Sequence, residues 1–105
     1  MVYGLAVAGE AVARALVDRG ERVVLVDDVL TAKHHDLAKE LEASLFDGSD
    51  LEEVDRQLRA VDRVVPAPGI PERHRIIFES RMLEIPLMSE IEVAYRLEQE
   101  YPLAG

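Results

Sequence analysis

The chain has 105 residues, 49% of them apolar, with 12 basic against 21 acidic side chains and a formal charge of −9. That length suits one domain, a sheet covered by helices, and is short for a complete α/β enzyme. An acidic excess spread over helical segments argues against a duplex-DNA or anionic-membrane surface, which needs clustered Lys and Arg, and the absence of cysteine excludes disulfides, thiolate metal sites and cysteine nucleophiles.

Val2-Tyr3 reads as the stump of a first strand, shorter than the ~5 residues usual for a buried one. Gly4-Leu5-Ala6-Val7-Ala8-Gly9 follows, with the spacing G-x-G-x-x-G and alanine at the middle glycine. In that motif the first glycine makes the turn, the second lets backbone approach a pyrophosphate, and the third lets the helix pack on the strand. Backbone N–H groups at a helix start hold phosphate without any basic side chain, so a phosphorylated small ligand is compatible with the acidic composition. Strand-to-helix turns of this kind also occur without a ligand.

From Glu10 to Arg19, Val12, Ala13, Leu16 and Val17 recur at helical spacing, and Gly20 stands where a C-terminal cap belongs. Val23-Val24-Leu25-Val26 is a continuous apolar run, the mark of a strand buried on both faces. Asp27 and Asp28 end it, eighteen and nineteen residues after Gly9, where an acidic residue commonly reads a ribose hydroxyl. Turn and helix-start chemistry is the other reading of the pair. Two adjacent carboxylates disfavour a 2′-phosphate, and with it NADP.

Lys33 to Ala43 is expected to be a polar helix with Leu37 and Leu41 on one face, followed by a short strand at Ser44-Leu45-Phe46 and a turn at Asp47-Gly48. Ser49-Asp50-Leu51-Glu52 has the form of a capping box opening a helix whose buried stripe is Leu51, Val54 and Leu58. Arg63-Val64-Val65 is the fourth strand, and Ala67-Pro68-Gly69-Ile70-Pro71 carries the residue order of a type II turn at Pro68-Gly69. Glu72 to Leu83 is expected to be a helix facing inward through Ile76, Ile77, Met82 and Leu83, and Pro86-Leu87-Met88 a fifth strand. Ser89 to Glu92 is a second capping box, opening a last helix with Ile91, Ala94, Tyr95 and Glu98 along one side. Strand and helix alternate throughout, which predicts a Rossmann-like open parallel sheet of about five strands in the order 3-2-1-4-5, with helices on both faces. No linker is visible before Tyr101-Pro102, and the whole of 1–105 is expected to be one domain.

The remaining polar residues have structural readings. His34 and His35 point about 100° apart on a helix and do not share one ion comfortably, so they read as solvated surface. His74, between Arg73 and Arg75, reads the same way, and Glu90 and Glu92 serve the capping box and helix dipole. No G-x-x-x-x-G-K-[ST] loop and no nucleophile elbow occur, so neither an ATP loop nor a catalytic residue is assigned, and no metal site either. No secretory signal is apparent in the first twenty residues, and no stretch approaches the ~18 apolar residues of a membrane span, so the default location is cytoplasmic.

Taken in order, Gly4 to Gly9, Val26-Asp27-Asp28, Val64 to Pro71, Ile85-Pro86-Leu87 and Ser89 to Ala94 resemble the amino-terminal domain of the Mur ligases over nearly the whole chain. The resemblance implies a cytoplasmic peptidoglycan enzyme in which ATP and magnesium, held by a second domain, activate a carboxylate of a UDP-linked muramoyl precursor for attack by an amino acid held by a third. This chain matches the UDP-binding domain alone and stops about where the ATP loop would begin, so no catalytic residue carries over and no cofactor belongs to this segment. By that match Leu5, Ala6, Val7, Ala8 and Gly9 cradle the diphosphate, Asp27 and Asp28 face the uridine, and Pro68 and Gly69 close the other side. Ala6 stands where the family usually has glycine, Ala8 where it has serine or threonine, and Ala67 where it has serine. Two other readings fit the residues: an NAD-binding domain of an oxidoreductase or transport regulator, and a module that keeps the fold and binds nothing.

Overall fold

The computed structural model describes residues 1–100; the expected boundary at Tyr101-Pro102 lies outside them. The elements follow in the order β1 (Val2–Tyr3), α1 (Val7–Asp18), β2 (Val24–Asp27), α2 (Ala32–Leu41), β3 (Ser44–Asp47), α3 (Leu51–Leu58), β4 (Val65–Pro66), α4 (Arg75–Met82) and α5 (Glu90–Glu100). The sheet is parallel in the order β3-β2-β1-β4. Val2 and Tyr3 pair with Leu25 and Val26 on one side and with Val65 and Pro66 on the other.

Alternation within each strand divides the core in two. Val2, Leu25 and Val65 face a layer formed by Val12 and Ala13 of α1, Leu37 and Ala38 of α2, and Val93 of α5. Tyr3, Val26 and Val64 face the opposite layer, built from Val54 and Leu58 of α3 and Ile76 and Ile77 of α4. The chain changes faces between β3 and β4, so the loops after β1 and β4 depart in opposite directions from neighbouring strands. That is the switch point at which open α/β sheets form a crevice.

The fifth strand reduces to a single parallel bridge, Val64 to Leu87. Pro86 accepts from Val64 N–H and Met88 N–H donates to the Val64 carbonyl, but Pro86 has no N–H to extend the ladder and Ser89 caps α5 one residue after Met88. The cap of α3 also moves. Asp47 captures both the N–H and the hydroxyl of Ser49 at 2.8 and 2.7 Å, so Asp50 becomes the N-cap, accepting from Glu53 N–H, and the expected Ser49–Glu52 box does not form. Leu51 is consequently exposed while Val54 and Leu58 are buried.

Two further helix faces differ from expectation. In α4, Ile76 and Ile77 are buried but Met82 is exposed. In α5 the inward residues are Val93 and Leu97, and Ile91 and Tyr95 face outward. A stripe one residue out of phase is equally periodic, and only the position of α1 and the sheet selects between them. The Ser89 capping box forms as expected, with Glu92 N–H donating to Ser89 Oγ at 3.1 Å and Ser89 N–H to Glu92 Oε1 at 3.2 Å. Ser89→Ala is expected to lower stability by about 1 kcal/mol, read as a lower melting temperature.

Candidate functional site

Four loops meet at the carboxyl edge of the sheet. Gly4 leaves β1 with φ +96°, a conformation that favours glycine, and its N–H donates to the Val26 carbonyl. Gly9, in the first turn of α1, lies against that loop so closely that a Cβ there would come within 1.8 Å of the Gly4 carbonyl oxygen. The outer glycines of the motif therefore do what the sequence pattern asks of them, the turn and the helix-to-strand contact. Between them Leu5 is buried, and Ala6 and Val7 are exposed. Ala6 is the N-cap residue in extended conformation and supplies no side-chain hydrogen bond. Helix geometry leaves the first N–H groups of α1 without intrahelical acceptors, and the first bond of this turn is Glu10 N–H to the Ala6 carbonyl at 2.9 Å. The N–H groups of Val7, Ala8 and Gly9 thus form an uncapped positive helix end.

Asp27 is bound up with that loop. One of its oxygens accepts Leu5 N–H at 2.7 Å and the other Val29 N–H at 3.1 Å, and His34 Nε2 stands 4.0 Å away. His34 itself belongs to the start of α2, where its N–H donates to Thr31 Oγ1 and its ring accepts from Thr31 N–H. Through these bonds the Asp27 side chain pins the glycine loop to the end of β2.

Asp28 makes the longest connection. It accepts from the buried Tyr3 hydroxyl and lies 2.9 Å from His74 Nε2. The His74 Nδ1 accepts Ile76 N–H at 3.0 Å as the cap of α4, which fixes the tautomer with the proton on Nε2, toward Asp28. The Tyr3 and His74 rings meet edge to face with centroids 5.1 Å apart. His74 is accordingly no solvated surface residue. Its sequence signal was weak, because a histidine among arginines looks exposed until a partner forty-six residues away is brought beside it. Burial acts to raise the Asp28 carboxyl, but hydrogen bonds from Tyr3 and His74 outweigh it and hold it below the usual aspartate range. Burial, with the Asp28 hydrogen bond, pushes the Tyr3 phenol well above its ordinary value.

A carboxyl depressed in the folded state contributes stability above its unfolded pKa, and that contribution is lost as pH falls through the folded value. Tyr3→Phe is expected to cost about 1 kcal/mol at neutral pH and to return Asp28 toward the ordinary range, reducing the acid-side loss. Denaturation at a series of pH values, with carboxyl titration by NMR, checks both.

The Ala67-to-Pro71 loop stands beside the glycine loop. Ala67 N–H donates to the Tyr3 carbonyl, and a Cβ on Gly4 would meet the Ala67 Cβ at 2.8 Å. The turn at Pro68-Gly69 is closed by Ile70 N–H to the Ala67 carbonyl at 2.9 Å, but Gly69 is absent from the positive-φ residues, so it is not type II. Ala8, Gly9, Ala67, Pro68 and Glu90 line a cleft between the two loops that is too narrow to admit a water molecule. The structure thus brings the glycine loop, Asp27-Asp28 and Pro68-Gly69 to one edge of the sheet, with Asp47-Gly48 completing it through Arg75, whose guanidinium donates to the Gly48 carbonyl at 2.9 Å. A Cβ at Gly48 would lie 2.3 Å from the Tyr3 hydroxyl, so this corner admits only glycine.

A parallel sheet with a glycine turn feeding an uncapped helix end at its switch point defines a Rossmann-like domain. No protein-family model matches the chain. It is similar to curated proteins named UDP-N-acetylmuramoylalanine--D-glutamate ligase, at 36% identity to that of Syntrophus aciditrophicus across 94% of this chain, 36% to that of Rubrobacter xylanophilus across 92%, and 35% to that of Bacillus cytotoxicus across 100%. These matches place the chain with the amino-terminal domain of the Mur ligase family. The chain spans 22% of the length of the first of these relatives, 21% of the second and 23% of the third.

Proposed function

We propose that the chain is the UDP-binding domain of a cytoplasmic UDP-N-acetylmuramoyl-L-alanine:D-glutamate ligase of peptidoglycan synthesis. The observation that carries this is the uncapped start of α1 at the sheet's switch point, between Asp27-Asp28 and the Pro68-Gly69 turn, in a chain matched over its length by proteins of that name. Val7, Ala8 and Gly9 N–H groups would receive the diphosphate; Leu5 N–H is already committed to Asp27 and would shape the loop. Asp28 and Asp27 would face the uridine, and Pro68 and Gly69 would close the opposite wall.

In the whole enzyme, ATP with magnesium would convert the L-alanine carboxylate of the precursor to an acyl phosphate, releasing ADP. The D-glutamate amine would then displace phosphate to form the amide. Those steps would belong to the ATP-binding and carboxyl-terminal domains of a full-length ligase. The residues of this chain bind and orient the nucleotide end of the substrate, and the isolated chain is expected to be inactive.

One feature opposes tight binding: Ala8 offers no hydroxyl. Ala8→Ser is expected to strengthen binding of the UDP-muramoyl precursor by roughly tenfold, since a hydrogen bond to a charged group is worth about 1.5 to 3 kcal/mol. Ala6→Gly is expected to add to it by closer backbone approach, offset in part by loop entropy. Calorimetry at fixed salt on the single and double variants, with NAD as competitor, tests the reading. Tighter binding of NAD than of the precursor turns it toward a dinucleotide domain, and no gain in either variant removes the diphosphate from this loop.

A further inference from the structure

The two carboxylates at the end of β2 use their oxygens differently. Asp27 accepts Leu5 N–H on one oxygen and Val29 N–H on the other, both main-chain donors of its own corner, so it serves the loops. Asp28 accepts the Tyr3 hydroxyl on one oxygen and His74 Nε2 on the other, at 2.9 Å. These donors reach it from the central strand and from the start of α4. A carboxylate offers about four lone-pair positions, so two stay open on Asp28. Its side chain is 48% exposed and that of His74 is 17%, so the imidazole stands behind the carboxylate and the carboxylate stands toward solvent. Both donors are themselves fixed. Tyr3 is fully buried, and the His74 ring is held by Ile76 N–H on Nδ1 and by its edge-to-face contact with Tyr3. Arg75, tied to the Gly48 carbonyl and to Glu79, closes the corner beside it.

We propose that His74 and Tyr3 are positioning residues for Asp28, aiming its carboxylate at a hydrogen-bond donor of the uridine at this edge of the sheet. The inference rests on the uridine placement given above and deepens it. A carboxylate already held in place loses less freedom when a ligand arrives, so affinity depends on side chains that the ligand does not touch. The same two bonds keep Asp28 below the usual aspartate range, so at neutral pH it accepts and has no proton to give. The ligand must therefore present an N–H or O–H. Uridine has both, an imide N–H on the base and hydroxyls on the ribose.

His74 has two tasks, and substitution separates them. His74→Asn puts an amide oxygen near the place of Nδ1, which keeps the cap of α4 but does not reach Asp28. His74→Gln puts an amide nitrogen near the place of Nε2, which restores the donor to Asp28 and gives up the cap. Calorimetry with UDP measures binding, and amide exchange at Ile76 and Ile77 reports the cap. His74→Asn is expected to leave that exchange slow and to weaken UDP roughly tenfold or more. His74→Gln is expected to speed the exchange and to recover most of the affinity. CDP, whose base lacks the imide N–H, and 2′,3′-dideoxy-UDP, which lacks the ribose hydroxyls, identify the donor: the one that binds the parent chain less tightly than UDP is missing it, and His74→Asn narrows that difference. Affinity that follows the cap, kept in Asn and lost in Gln, would mean that His74 acts only through α4 and would overturn the positioning role while leaving the uridine placement standing. Equal binding of all three nucleotides to the parent would overturn it as well, because Asp28 would then meet no donor. A parent chain that binds no UDP would remove the uridine placement and this role together.

Discussion

Gly9→Ala is expected to be the most damaging single-methyl change in the chain, costing about 3 kcal/mol or more and leaving little folded protein. The added Cβ would sit 1.8 Å from the Gly4 carbonyl oxygen and 2.9 Å from its carbon. Both are main-chain atoms held by β1, which pairs on both sides, so no side chain can swing away. Relief requires α1 to lift from the sheet, which would separate Val12 and Ala13 from Val2 and Leu25. Gly69→Ala is the matched control: nothing lies within 4 Å of its added Cβ and its φ is not positive. There the change is expected to be neutral or to stabilise by up to about 1 kcal/mol through the unfolded chain. Urea denaturation of both variants decides the matter. A Gly9→Ala protein as stable as the parent would mean that the helix does not approach the strand as described.

Folding stability is expected to rise with pH between about 6 and 8 through the Met1 amino group alone. Its ordinary value is 8.0, and in the folded protein burial and Arg63 lower it to about 6, with Asp62 acting weakly the other way. Between those values the unfolded chain holds the proton and the folded chain has released it, so raising pH favours folding. Below about 6 both states are charged and the full penalty is present; above 8 neither is, and it vanishes. Two pKa units correspond to roughly 2 to 3 kcal/mol. The measurement is a comparison with the Nα-acetylated chain, which shares every other group. Acetylation keeps the N–H that donates to the Arg63 carbonyl and removes the charge. The difference between the two pH profiles is expected to grow as pH falls from 8 to 6, and parallel profiles would place the amino group in solvent.

The sequence by itself determined the elements whose signals are local. The apolar run at Val23 to Val26, the spacing of Val54 and Leu58, and the Ser89–Glu92 box each follow from contacts within a few residues, and each forms. Gly4 and Gly9 were legible as turn and contact glycines because only the missing Cβ permits those positions, and the strand–helix alternation carried the parallel order of the sheet. Tertiary structure decided what depended on distant partners. Whether Ser49 or Asp50 caps α3 turned on which donors Asp47 captured, and whether Val93 or Ile91 faces inward turned on where α1 lies. The linking of Tyr3, Asp28 and His74 is the clearest case, since a phenol, a carboxylate and an imidazole become one hydrogen-bonded unit only when β1, the end of β2 and the start of α4 are brought to the same corner of the sheet. Periodicity specifies that a face is buried; which face, and which polar groups must then satisfy one another, is set by the elements packed against it.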